Sequence, residues 1–129
     1  MTRFLNPSQM HTPRGYTHVV EVTGGRIVFI AGQVALDASG NMVGAGDFRA
    51  QAVQVFENLK TALESVGADF SHVVKFGIFV LDVNNLPILR EVRDQYVNTA
   101  NPPASTAVQV AALFQPGYLL EIEAVAVVP

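Results

Sequence analysis

The stretch DFRAQAVQVFENLKTALESV, residues 47–66, decides the class of fold. Six of its apolar side chains recur at spacings of three and four residues, which is the pattern of a helix with one buried face. Asp47 is a suitable N-terminal cap, and Gly67 follows where helices often end. The stretch therefore predicts a helix over Asp47–Val66. Its apolar stripe consists of Phe48, Ala52, Val55, Leu59, Ala62 and Val66.

Strand patterns lie on both sides of this helix. The paired glycines Gly24 and Gly25 predict a tight hairpin turn between the first two strands. A second helix is predicted to begin near Asn85 with Pro87 in its first turn, and to end before Pro102. Its predicted inner face carries Leu89, Val92 and Tyr96. The predicted strands are His18–Val22, Ile27–Val34, Val73–Leu81, Thr106–Leu113 and Leu119–Val127, with a short one at Asn41–Val43.

This order of elements predicts an α+β fold, with a mixed sheet and both helices on one face. The sequence offers no third helix for the other face, so we expect another copy of the chain to cover it. Half of the residues are hydrophobic and only 15% are charged, which also favours an obligate oligomer. A length of 129 residues without a linker predicts a single domain over residues 1–129.

Composition excludes several classes of function. The net charge is −3 and no run of Lys or Arg occurs, so we expect no nucleic acid partner. The absence of cysteine excludes thiolate metal sites and cysteine nucleophiles. Three scattered histidines give no metal-site pattern, so no metal is predicted. No apolar run is long enough to cross a membrane and no signal peptide is recognisable, which predicts a cytoplasmic protein without a membrane partner.

The last predicted strand, LLEIEAVAV, carries two carboxylates on one face. Glu121 and Glu123 are two residues apart, so they lie about 6.6 Å from each other along the strand. A buried glutamate has a raised pKa and can act as a general acid or base near neutral pH. Alternatively both are solvated or paired with a cation, for which Lys75 on a neighbouring strand is suited.

Two hydroxyls, Ser105 and Thr106, follow the diproline turn at Pro102-Pro103. No nucleophile-elbow motif surrounds Ser105 and no Ser-His-Asp order is recognisable, which disfavours a serine nucleophile. Hydroxyls in this position more often bond local backbone. Their role as ligand-binding donors stays open.

In combination, five segments of the chain resemble the reactive intermediate deaminase A family, called RidA or YjgF. The resemblance spans about Gly15 to Val127, and the order and spacing of its pieces make it distinctive. The pieces are Gly15-Tyr16, VFIAGQVALDASGN at 28–41, the segment 46–82, Pro103-Ala104 followed by TAVQVAAL, and EIEAVAV at 121–127.

The resemblance implies a chorismate-mutase-like fold of the bacillus type. It also implies a homotrimer with an inner β-barrel and a site in each cleft between subunits. The implied activity is hydrolysis of small enamines and imines without any metal or organic cofactor. The family's catalytic glutamate falls on Glu121, where it would hold water or relay a proton. Its tyrosine falls on Tyr16, and a backbone group near Gly32 would line the pocket.

Two positions depart from the family pattern, because Arg14 takes the place of the proline usual before the tyrosine and Ser105 that of an arginine. The family motif Pro-Ala-Arg-(Ser/Thr) uses its arginine to bind the substrate carboxylate, and here Ser105 takes that place. We therefore expect slow or absent turnover of 2-aminoacrylate. Either Arg14 replaces the lost cation, or the pocket takes a neutral or larger substrate. In the second case, which we prefer, Ser105 and Thr106 donate to a carbonyl and His18 or Tyr16 adds polarity.

The leading functional prediction is thus a divergent imine or enamine deaminase acting on a small metabolite between subunits. The alternative is a catalytically inactive trimer that binds a small molecule. A ribonuclease, an activity assigned to some members of the family, is disfavoured by the acidic net charge.

Overall fold

The computed structural model describes residues 1–129 and contains six strands and two α-helices. It also contains two short 3-10 turns, Phe70–His72 and Val83–Asn85. No helix combines the length and the hydropathy needed to span a bilayer. The elements are β1 (Thr2–Leu5), β2 (Val19–Val22), β3 (Arg26–Gln33), α1 (Phe48–Glu64), β4 (Val73–Val80), α2 (Leu86–Arg93), β5 (Ala104–Gln109) and β6 (Leu120–Val128).

A mixed sheet forms the centre of the fold, with strand order β3-β6-β4-β5. Strand β6 is antiparallel to both of its neighbours, whereas β4 and β5 are parallel. Both helices pack on one face of this sheet, as the order of elements predicted. The buried side of β6 alternates strictly, because its even-numbered residues face the helices. These residues are Leu120, Ile122, Ala124, Ala126 and Val128, none more than 5% exposed.

Helix α1 forms where its apolar stripe predicted it. The Asp47 carboxylate accepts a hydrogen bond from the Ala50 amide at 3.1 Å, which caps the first turn. Gly67 then takes a φ of +74°, a conformation that ends the helix at little cost for glycine. The predicted bounds are correct to within two residues at either end.

A buried glutamine ties α1 to the start of β6. The Gln51 side chain is fully buried. Its Nε2 donates to the carbonyls of Gly44 at 3.1 Å and Gly117 at 2.9 Å, and its Oε1 accepts from the Leu119 amide at 2.9 Å. Three backbone groups that β-ladder bonds do not reach are thereby satisfied by one side chain.

The predicted hairpin between the strands His18–Val22 and Ile27–Val34 is wrong. Strand β2 pairs antiparallel with β1, and these two form a separate sheet, while β3 pairs with β6. Gly24 and Gly25 do turn the chain with positive φ, but the turn joins two sheets. Strand β1 was not predicted at all.

Three smaller predictions also need correction. The segment Asn41–Val43 makes a single bridge between Leu36 and Met42 and no strand. Helix α2 ends at Arg93, so Tyr96 lies beyond it. Strand β5 begins two residues earlier than predicted and ends at Gln109.

The sheet face turned away from the helices is open in this chain and carries large apolar side chains. Cross-strand pairs put Ile27 with Val127 and Phe29 with Val125 on this face. The exposed fraction is 65% for Ile27 and 79% for Phe29, and 41% for Val108 on β5. A soluble monomer rarely exposes such a contiguous patch.

Candidate functional site

A cavity of about 240 Å³ lies beside Ser105 on the helix side of the sheet. It brings together three residues that the sequence singled out: Arg14, Tyr16 and Ser105. Helix α2 supplies much of the remaining wall. The other lining residues are Ile78, Leu86, Leu89, Arg90, Arg93 and Ala107.

The loop that carries Arg14 and Tyr16 is fixed to the diproline turn by the next residue, Thr17. Its side chain is only 2% exposed. The Thr17 hydroxyl donates to the Pro102 carbonyl at 2.5 Å, and its amide donates to the Pro103 carbonyl at 3.1 Å. The diproline turn leads directly into β5, so this contact places the loop beside Ser105.

A glycine in the same loop allows a close approach to α2. Gly15 has a φ of +78°, and a Cβ added there would lie 2.5 Å from Nη2 of Arg93. The Arg93 guanidinium therefore occupies the space where any other residue would carry a side chain. It also donates to the Asp94 carboxylate at 3.1 Å from Nη2 and 3.3 Å from Nε.

Two arginines of this cavity, Arg90 and Arg93, were missed by the sequence prediction. A signal for them existed, because Leu86, Leu89, Arg90 and Arg93 follow the spacing i, i+3, i+4 and i+7, which defines one helix stripe. The predicted inner face contains only Leu89 of this stripe, together with Val92 and Tyr96. The side chains of Arg14 and Arg90 are exposed at the cavity and take part in no ion pair within the chain.

Tyr16 belongs to a cluster with both histidines of the N-terminal segment. Its hydroxyl lies 2.8 Å from Nε2 of His11, a residue that the sequence prediction did not include. His18 packs edge-on against Tyr16 and against His11, at 5.4 and 4.7 Å between ring centroids. The His18 Nε2 donates to the His11 carbonyl at 2.8 Å. His18 does not line the cavity beside Ser105.

Glu121 lies on the open sheet face, half-buried, over the backbone of Gly32 on β3. A Cβ on Gly32 would come within 2.7 Å of the Glu121 Cδ, so glycine is required for this contact. The register of β3 against β6 shifts between Ile30 and Gln33, which places Gly32 in an irregular stretch. Such irregularities often re-aim side chains next to functional sites.

Glu123, on the same strand as Glu121, lies in the same way over a glycine of β4, the other neighbour of β6. A Cβ on Gly77 of β4 would lie 2.6 Å from the Glu123 Oε1. The suggested partner Lys75 does not reach Glu123, because its Nζ donates to the Thr106 hydroxyl at 2.7 Å. Neither glutamate forms an ion pair within the chain.

The predicted site residues therefore divide between two faces of the sheet. Ser105 pairs with Phe76, which is buried under the helices, so Ser105 faces the helix side. Thr106 is the next residue and faces the open side, where Glu121 and Gly32 also lie. One chain by itself does not bring Glu121 to the cavity beside Ser105. No three side chains of His, Asp or Glu converge as metal ligands would.

The comparison with known families agrees with the sequence resemblance. The family model described as endoribonuclease L-PSP matches residues 7–128, almost the whole chain. The chain belongs to the RidA/YjgF family. The prediction of family is thereby confirmed.

Among RidA/YjgF relatives, the chain is 43% identical to protein DfrA of Myxococcus xanthus over 112 residues, which is 87% of this chain and 84% of DfrA. It is 37% identical to the human 2-iminobutanoate/2-iminopropanoate deaminase over 102 residues, covering 79% and 73% of the two chains. The crystal structure of the Rid family protein YyfB from Yersinia pestis superposes with a TM-score of 0.87 at 36% identity, covering 98% of each chain. Two helices on a mixed sheet are thus the fold of this RidA/YjgF chain.

Proposed function

We propose that this RidA/YjgF protein hydrolyses the C=N bond of a small imine, or of the enamine that precedes it, in a cleft between subunits of a homotrimer. The human relative carries the name 2-iminobutanoate/2-iminopropanoate deaminase, which supports the reaction class. The observation that carries the proposal is the Glu121 carboxylate, which lies against Gly32 on an open face with no cation beside it. Such a carboxylate is free to bind water.

The uncovered sheet face supports the trimer. Burying Ile27, Phe29 and Val108 against neighbouring copies would remove their apolar surface from water, at about 25 cal/mol per Å². In a cyclic trimer each interface joins two different surfaces of the chain, so one cleft can take residues from the open face of one copy and from the helix side of the next. The inner β-barrel implied by the family fits this arrangement. It also brings Glu121 of one copy towards the cavity beside Ser105 of its neighbour.

The reaction requires only one acid or base group from the protein, and water. An enamine first takes a proton on carbon, or an imine takes one on nitrogen, and either becomes an iminium ion. A water oxygen then bonds to the imine carbon while the water proton passes through Glu121 to nitrogen. The C–N bond breaks with its electron pair leaving on ammonia, and the hydroxyl loses its proton as the carbonyl forms. Water is the only co-reactant, so the reaction as written needs no cofactor.

The remaining predicted residues have positioning roles in this proposal. Tyr16, fixed by its hydrogen bond to His11, donates to the substrate from the cavity side. Ser105 supplies a second hydroxyl there, and a backbone group near Gly32 contacts the substrate from the Glu121 side. Thr106, which bonds Lys75, and His18, which bonds His11, act through those partners.

The test is a deaminase assay with imines generated in place by an amino acid oxidase from a panel of amino acids. Glu121→Gln is expected to lower kcat/KM by about 100-fold or more, the usual contribution of a general acid or base. Glu123→Gln is the matched control, because it lies on the same strand and face over Gly77. It should retain activity within threefold. Equal losses in both variants would refute the role of Glu121, and binding without turnover of any imine would favour the inactive trimer.

Mixed trimers test whether a site is shared between chains. Tyr16→Phe and Glu121→Gln chains are each expected to be nearly inactive alone. Co-expressed, they would form trimers in which about a quarter of the clefts combine the intact half of each chain. Recovered activity near that fraction supports a shared cleft. No recovery, with trimers verified by mass, would mean that both residues act from the same chain.

A further inference from the structure

The cavity beside Ser105 concentrates positive charge. Three of the chain's eight Lys and Arg side chains line it, namely Arg14, Arg90 and Arg93, and no carboxylate does. The only counter-charge in contact is Asp94, which binds Arg93. Two guanidinium charges therefore remain uncompensated in a volume of about 240 Å³.

Of the three arginines outside the cavity, two pair with a glutamate, and Arg26 donates to the Val66 carbonyl at 3.2 Å. Arg3 binds Glu21 at 2.7 Å, and Arg49 binds Glu91 at 2.5 Å. Like charges that line one cavity repel each other, and water at the exposed Arg14 and Arg90 side chains reduces this repulsion without removing it. An anion entering the cavity would relieve it. Unpaired guanidinium groups here are therefore better explained by an anionic ligand than by the stability of the empty protein.

The arginines also account for the serine at position 105. The family motif places a guanidinium on β5. In this chain Arg90 reaches the same cavity from α2, and Arg14 reaches it from the loop before β2. A small side chain at 105 leaves room for a ligand between them and offers one hydroxyl donor. Ile78, Leu86, Leu89 and Ala107 form an apolar wall that suits a short carbon chain. The two unpaired guanidinium groups of this cavity thus come from α2 and from the loop before β2, and none comes from β5.

We propose that Arg90 and Arg14 determine substrate specificity, and that the cleft takes a short imine carrying two carboxylates. This inference rests on the proposed function for the reaction, but the binding of the dianion stands on the charges alone. Arg93, buried and fixed against Gly15, positions the loop that carries Arg14. Under this proposal the cleft prefers a dianion, whereas the sequence led us to expect a neutral or larger substrate.

Calorimetric titration with three stable four-carbon probes tests the charge count. Succinate carries two carboxylates, butyrate one, and butyramide none. We expect succinate to bind at least about tenfold more tightly than butyrate, since one charged hydrogen bond contributes about that factor. Butyramide should not bind measurably. The succinate affinity should also fall as salt is raised. Equal affinities for succinate and butyramide would overturn the proposal.

Variants assign the effect to the arginines. Arg90→Gln and Arg14→Gln are each expected to weaken succinate binding about tenfold or more. Neither should lower the thermal midpoint, because each removes one of two repelling charges. Arg49→Gln, an arginine on α1 outside the cavity, should bind succinate like the wild type. A similar loss in Arg49→Gln, or none in Arg90→Gln, would contradict the assignment.

Measuring succinate binding in Glu121→Gln separates this inference from the proposed reaction. Retained binding in that variant with no deaminase activity in the wild type would refute the reaction and leave the anion site standing. Deaminase activity on imines of neutral amines, with no preference for acidic substrates, would refute the anion site alone.

Discussion

Replacing Gln51 by methionine removes a buried polar contact without changing the length of the side chain. In the folded protein this glutamine bonds the carbonyls of Gly44 and Gly117 and the amide of Leu119. Methionine cannot donate and accepts only weakly. Three backbone groups would then lose their bond to this side chain, although the Gly44 carbonyl still accepts from the Asp47 amide at 2.9 Å, and the surrounding packing stays nearly intact.

The expected loss follows from these three contacts. At about 1 kcal/mol for each hydrogen bond, Gln51→Met should lower the free energy of unfolding by about 3 kcal/mol. The entropy of unfolding is about 2.1 cal/mol/K per residue, or about 0.27 kcal/mol/K for a chain of this length. The thermal midpoint should therefore fall by about 11 °C.

Urea unfolding at one fixed protein concentration measures the change, because the stability of an oligomer depends on concentration. Gln54→Met is the matched control on the same helix: Gln54 is half-buried and bonds only the side chain of Asn58. It should cost less than about 0.5 kcal/mol. Hydrogen exchange at the Leu119 amide should accelerate in Gln51→Met. A loss below 1 kcal/mol, or an unchanged exchange rate at Leu119, would refute the role given to Gln51.

Three further predictions concern single residues. Burial raises the pKa of the Tyr96 phenol to about 12, with the hydrogen bond to Glu57 adding to the effect. Because this folded pKa lies above the ordinary value of 10.0, the neutral Tyr96 phenol contributes its full stabilisation to the folded protein below pH 10 and loses it as the pH rises towards 12. Tyr96→Phe should therefore flatten the decline in the free energy of unfolding measured across this range. Gly15→Ala should weaken succinate binding at least tenfold and lower stability by about 1–2 kcal/mol, since it forces positive φ on alanine and displaces Arg93; wild-type binding would contradict this. Asp47→Ala should cost about 1 kcal/mol in urea unfolding through loss of the α1 cap, whereas Asp47→Asn should cost less.

Much of the architecture was predictable because each element of the central sheet carries its own periodic pattern. Helix α1 and strand β6 show this most clearly, since their buried residues follow spacings of 3.6 and 2 almost without exception. Pairing was less predictable. The glycines at 24 and 25 signal a turn, but a turn does not state which strands pair. Strand β1 is only four residues long and mixes polar with apolar side chains, so it leaves no pattern.

The cavity was only partly predictable for a similar reason. Ser105 and Tyr16 were found through the family motifs, and Arg14 through its place in the sequence beside one of them. Arg90 was not found, because its place in the cavity depends on how α2 packs over β5, which is a tertiary contact. Its spacing from Leu86 and Leu89 on one helix stripe was the available clue.

The division of Ser105 and Glu121 between opposite faces of one sheet also bears on inheritance. In the proposed trimer, a chain damaged in both halves would spoil the clefts on either side of it, so the proportion of working clefts would fall as the square of the share of intact chains. A cell that makes good and bad copies together would lose more activity than the bad copies' share, and such an allele would act as partially dominant.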